Sequence, residues 1–141
     1  MAERHIILSG YLTQLEKLSR FVDSFGREHD LPTPLIFELN LALDELVTNI
    51  ITHGSRGGDL SWISVSLCRT EEELLAVVED DGQAFDPCQA EAPDLLCSLE
   101  ERCIGGLGIH LVRNLTDAMC YERIGDRNRI TLVKKAKPSC G

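Results

Sequence analysis

The chain is short of positive charge: 14 Lys and Arg stand against 23 Asp and Glu in 141 residues, a net charge of −9. That balance opposes the counterion release that drives binding to phosphate backbones and anionic surfaces, so neither nucleic acid nor membrane is an expected partner. No apolar run approaches the roughly 18 residues that span a bilayer. The opening MAERHIILSGYLTQ also lacks the basic-then-apolar order of a secretion signal, and a cytoplasmic location is expected. Six cysteines are present, with no C-x-x-C pair and no histidine at zinc-ligand spacing, which favours reduced, packed thiols over a metal cage or disulfide framework. Internal repeats and low-complexity tracts are missing too.

What is there suits one domain over residues 1–141, with 43% apolar and 26% charged residues. A short β-branched strand is expected at residues 4–8, ending at Ser9-Gly10. Leu15, Leu18, Val22 and Phe25 then recur at three- and four-residue steps, the stripe of an amphipathic helix over 11–29. Thr33-Pro34 opens a second helix, with Ile36, Leu39, Leu43, Leu46 and Ile50 inward and a stop near His53, before Gly54.

Residues 56–59 read as a turn, 61–68 and 73–80 as strands joined through Glu71-Glu72, and 83–108 as a long aperiodic loop. A third helix should run from the glycines at 105–108 to about Asp117, and strands at 118–123 and 129–135 meet at Gly125-Asp126. This order predicts an α+β fold, a two-layer sandwich of a mixed, mostly antiparallel sheet with helices on one face.

Three segments carry chemistry. In LALDELVTNIITHG, Glu45, Asn49 and His53 lie four residues apart and project along one line beside the apolar stripe. A carboxylate there can take a proton, and an asparagine oxygen one turn on can ligate Mg²⁺; an ordinary polar helix flank has the same spacing. In VVEDDGQAFDP, alternation puts Asp80 on the face of Ala76 and Val78, and Gly82 admits close approach to the backbone. A buried acceptor suits the amino group of a purine, although acids and glycine are also common where a strand exits into a loop. In CIGGLGIHLVRNL, glycines open a helix whose first amides can meet phosphate, yet the pattern is neither a P-loop nor a G-x-G-x-x-G after a strand, and a flexible joint would read alike.

Taken together and in order, Glu45-x-x-x-Asn49, Asp80-x-Gly82 and Gly106-Leu107-Gly108 resemble the nucleotide site of the GHKL ATPase superfamily. The N-terminal strand and helix, DELVTNIITHG, GGLGIHLVRNLTDA and NRITLVKK are similar to the bacterial anti-sigma factor serine/threonine kinases, over roughly residues 4–135. The resemblance implies ATP and Mg²⁺ as cofactors, Glu45 as general base, Asn49 as magnesium ligand and Asp80 as the adenine-contacting carboxylate. It also places Gly82, Gly106, Leu107 and Gly108 in nucleotide loops, Thr131 near the adenine and an ATP lid at about 83–108. It further implies phosphorylation of a STAS-domain antagonist in a partner-switching circuit, sequestration of a sigma factor, and a homodimer.

One departure stands out: between Cys88 and Cys103 only Arg102 is basic, against Glu91, Asp94, Glu100 and Glu101, so little charge is present there to meet a γ-phosphate. A histidine-kinase catalytic module would need a dimerisation segment bearing a phosphoacceptor His, and His5 and His29 merely end a strand and a helix. The remaining rival is a regulatory module that binds a sigma factor or STAS partner without turnover; the paired Glu45 and Asn49 favour the enzyme.

Overall fold

The computed structural model describes residues 2–54, 60–84, 86 and 106–135. The expected turn at 56–59 and residues 87–105 of the expected lid lie outside the described residues. Strand β1 (Ala2–Ser9) leads through a single 3₁₀ turn (Leu12–Gln14) into α1 (Leu15–Glu28), followed by α2 (Thr33–Gly54). Then come β2 (Trp62–Arg69), β3 (Glu73–Asp80), α3 (Gly106–Leu115), β4 (Ala118–Ile124) and β5 (Arg127–Lys135).

The strands form one sheet in the order β1-β2-β3-β5-β4. Every pairing is antiparallel, so the expectation of a mixed sheet is corrected. The cause is the crossover from β3 through α3 to β4: β4 lands at the far edge, and β5 folds back through Gly125-Asp126 into the gap beside β3. Gly125, the first central residue of that two-residue turn, has φ of +62°, the placement that a type II′ hairpin asks of glycine.

Alternation decides which face is covered. Ile63, Val65 and Leu67 of β2, Leu74, Ala76 and Val78 of β3, and Ile130 and Leu132 of β5 are all buried, while the residues alternating with them are half-exposed. The buried set meets Leu18, Val22 and Phe25 of α1, Leu39, Leu43, Leu46, Val47 and Ile50 of α2, and Val112 of α3 in one core. All helices therefore lie on one face, as the α+β two-layer reading expects. Among the described residues no helix is long and apolar enough to cross a membrane.

The helix layer is set by a close crossing and an unusual cap. A Cβ on Gly26 would sit 2.5 Å from Ile36 Cδ1, so glycine is what lets α1 approach α2 there, despite a helix-interior cost of about 1 kcal/mol. At the end of α1, Leu31 N–H donates to the Gly26 carbonyl at 2.9 Å and Asp30 N–H to the Arg27 carbonyl at 3.3 Å. These are the two bonds of a Schellman cap, with Asp30 at φ 51° where glycine is usual. Asp30→Gly should therefore stabilise the fold by about 0.5–1 kcal/mol, a rise in Tm of about 2–5 °C in calorimetry; an unchanged or lower Tm would show that Asp30 carries no strain.

One lysine rivets three elements. Lys134 Nζ on β5 donates to the Leu115 carbonyl at the end of α3 at 2.6 Å and lies 2.5 Å from Glu38 Oε2 on α2. A cation there also complements the negative end of α3. Lys134→Met keeps the stem but leaves the carbonyl and carboxylate unmatched, and should lower the unfolding free energy by about 1–3 kcal/mol in urea titration. An unaltered midpoint would assign the α3 anchor to Val112 packing alone.

Candidate functional site

Among the described residues, three polar or charged side chains are buried: Asn49 (7% exposed), Asp80 (2%) and Asn128 (3%). Buried polar groups without a packing role mark function more reliably than exposed ones. They come from α2, β3 and β5, and Asp80 and Asn128 share the sheet face that packs against the helices.

Asp80 ends β3 directly opposite Asn128. Its Oδ1 accepts from Gly82 N–H at 2.9 Å and from Asn128 Nδ2 at 3.0 Å, and no described residue donates to Oδ2. Burial is the largest influence on this carboxyl and pushes its pKa above the ordinary carboxylate range; the bonds from Asn128 and Gly82 and the charge of Arg123 oppose the rise, and Asp81 adds to it. The neighbouring Asp81 behaves in the opposite sense. Burial alone would raise it, but the Ser61 and Trp62 amides, at 2.8 and 3.1 Å from Oδ1, outweigh that and hold its pKa low. Asp81 thus pins the start of β2, while Asp80 presents an open acceptor.

The α2 pair is arranged differently. Asn49 Nδ2 donates to the backbone carbonyl of Glu45 at 3.1 Å, one helical turn earlier. That bond fixes the amide and leaves Oδ1, a hard oxygen donor of the kind Mg²⁺ takes, with no hydrogen bond among the described residues. Glu45 is half-buried beside it. The end of α2 is tied to the turn after β3 by Gln83 Nε2, which donates to the His53 carbonyl at 3.1 Å. Gly106, Leu107 and Gly108 form the first turn of α3, where amides lack intrahelical acceptors, and α3 packs against α2.

Two findings alter the sequence-based site. Thr131 pairs with Val77 and Cys120, on the sheet face away from the helices, whereas Asp80 and Asn128 have the opposite parity. The structure therefore does not bring Thr131 to Asp80. Asn128 stands beside Asp80 instead, a placement that sequence reasoning missed. The available signal was its alternation with Ile130 and Leu132, which puts an amide on an otherwise apolar face.

Residues 8–134 match the model of the histidine kinase-like ATPase domain. The serine/threonine-protein kinase BtrW of Bordetella bronchiseptica is 36% identical over 104 residues, covering 74% of this chain and 73% of that protein. The serine-protein kinase RsbW of Listeria monocytogenes is 34% identical over 86 residues, 58% of this chain and 55% of RsbW. Among solved structures, the RsbU and RsbW domains of Rv1364c from Mycobacterium tuberculosis superpose with a TM-score of 0.68 at 15% identity, over 98% of this chain and 34% of that one, a likeness of fold. The chain belongs to the histidine kinase-like ATPase domain family and is homologous to the serine/threonine-protein kinase BtrW and the serine-protein kinase RsbW.

Proposed function

We propose that the protein binds ATP with Mg²⁺ at the buried polar cluster and transfers the γ-phosphoryl group to a serine or threonine of a STAS-domain antagonist, releasing or holding a sigma factor in turn. The observation that carries the proposal is the pairing of a fixed oxygen donor, Asn49 Oδ1, with a carboxylate one turn away on α2, in a chain that also buries the Asp80 acceptor. A protein that only binds needs no base beside a metal ligand. The names of the relatives support the same class: BtrW and RsbW are protein kinases, and a further relative, 24% identical over 115 residues, is the anti-sigma F factor of Geobacillus stearothermophilus.

In this reading Asp80 Oδ2 accepts the exocyclic amino group of adenine. The first amides of α3, at Gly106, Leu107 and Gly108, receive phosphate oxygens through their unpaired N–H groups. Asn49 Oδ1 would hold Mg²⁺, which supplies charge neutralisation for the phosphates. Glu45 takes the proton of the acceptor hydroxyl as its oxygen bonds to the γ-phosphorus and the bond to the β–γ bridging oxygen breaks, releasing ADP. Phosphoryl transfer asks mainly for positioning and electrostatics, which these groups provide.

Incubating the protein with radiolabelled ATP, Mg²⁺ and each purified STAS-domain protein of the source genome tests this. Label should appear on one serine or threonine of one of them. Nucleotide binding without label on any would leave the chain a regulatory binding module.

A further inference from the structure

The Asp80 carboxyl is held by a second layer of side chains that nothing in the proposed chemistry uses. Asn128 Nδ2 donates to Asp80 Oδ1 at 3.0 Å and to the Gln83 carbonyl at 2.9 Å, with the Gly82 carbonyl at 3.4 Å. On its other side, Asn128 Oδ1 accepts from Tyr121 Oη at 2.6 Å and from Arg123 Nη1 at 3.1 Å. Arg123 Nη1 also donates to the Gly82 carbonyl at 2.9 Å, closing a ring around the turn that follows β3.

This ring allows one orientation of the amide. A guanidinium can only donate, and the carbonyls of Gly82 and Gln83 can only accept, so a flipped Asn128 would set donor against donor and acceptor against acceptor. Tyr121 and Arg123 project from β4 at the register positions facing Ile130 and Asn128, so the fold itself delivers them. The consequence falls on Asp80. With Oδ1 occupied by two donors, the carboxyl cannot rotate its oxygens, and Oδ2 is left as a fixed acceptor.

We propose that Asn128, oriented by Tyr121 and Arg123, is the positioning residue that sets purine selectivity, locking Asp80 so that its free oxygen accepts from a 6-amino purine and repels a 6-oxo purine. The inference rests on the adenine reading of Asp80 given above. Without the lock, the carboxyl can turn or take a proton, and a protonated carboxyl donates to the 6-oxo group of guanine. Asn128→Asp would go further, setting a second carboxylate beside the first.

Titration calorimetry with ATP and with GTP, in excess Mg²⁺, separates the possibilities. Asn128→Ala should reduce the preference for ATP over GTP by about tenfold, chiefly by weakening ATP. Tyr121→Phe, which removes one hydroxyl and keeps the ring in the sheet, should reduce it by about threefold, and it decides the matter if Asn128→Ala does not fold. Asn128→Ala and Tyr121→Phe proteins with the wild-type purine ratio would overturn the role of Asn128 while leaving the adenine reading intact. Wild-type protein that binds ATP and GTP equally, or neither, would overturn the adenine reading itself.

Discussion

Glu45→Gln is expected to lower phosphoryl transfer to the acceptor protein by about 10²- to 10⁴-fold, the usual range for loss of a general base. ATP affinity should stay within about threefold of wild type, because a group that acts on the acceptor hydroxyl contributes mainly in the transition state. The structure explains why the two effects separate. Asn49 is anchored to the backbone carbonyl of Glu45, not to its side chain, so the substitution leaves the Asn49 amide where it was. Glutamine also preserves the volume and the helix propensity at a half-buried position. Single-turnover kinetics with a bound acceptor would check the rate, and calorimetry the affinity. A Glu45→Gln protein that phosphorylates at the wild-type rate would remove Glu45 from the chemistry, and one that no longer binds ATP would make it a binding residue.

The second large effect belongs to Asp80→Asn, which should weaken ATP by about 100-fold or more while making the protein without nucleotide more stable at neutral pH. Asparagine can still accept from Gly82 and Asn128 through its oxygen. What changes is the free position, where an NH₂ donor replaces the acceptor and meets the amino group of adenine donor to donor.

The sign of the stability change follows from burial, which raises the Asp80 pKa in the folded state. A carboxyl with a raised folded pKa favours the fold fully below its unfolded pKa and loses that contribution as pH rises through the folded value. The variant has nothing to lose over that window. Its Tm should therefore exceed wild type at neutral pH, and the gap should close as the pH falls into the ordinary carboxylate range. Asp81 is present in both proteins, and removing the Asp80 charge relieves the repulsion between them, which works in the same direction. A variant less stable than wild type at every pH would show that the carboxylate, despite its burial, holds the sheet together.

How much of this was legible in the sequence depends on how local each feature is. The alternation of ELLAVVED specified β3 to the residue and put Asp80 on the core face, and Gly54 ended α2 where expected. The α2 pair was legible for the same reason, since spacing on one helix needs no knowledge of neighbours. Asn128 was not, because its place beside Asp80 arises only when β5 inserts beside β3 in one register, a long-range choice made by packing. Thr131 lies on the face opposite Asp80 for the related reason that a motif position carries no parity, and one residue along a strand reverses the face. The cap of α1 was missed because an aspartate at Asp30 does what glycine usually signals.

The most direct test of the account is calorimetric titration of the wild-type chain and of Asn49→Ala with ATP, ADP and GTP, with and without Mg²⁺. ATP and ADP should bind more tightly than GTP, and Mg²⁺ should strengthen ATP binding in wild type but not in Asn49→Ala. Absence of binding by any nucleotide at millimolar concentration, or an Mg²⁺ effect that survives the loss of Asn49, would contradict it.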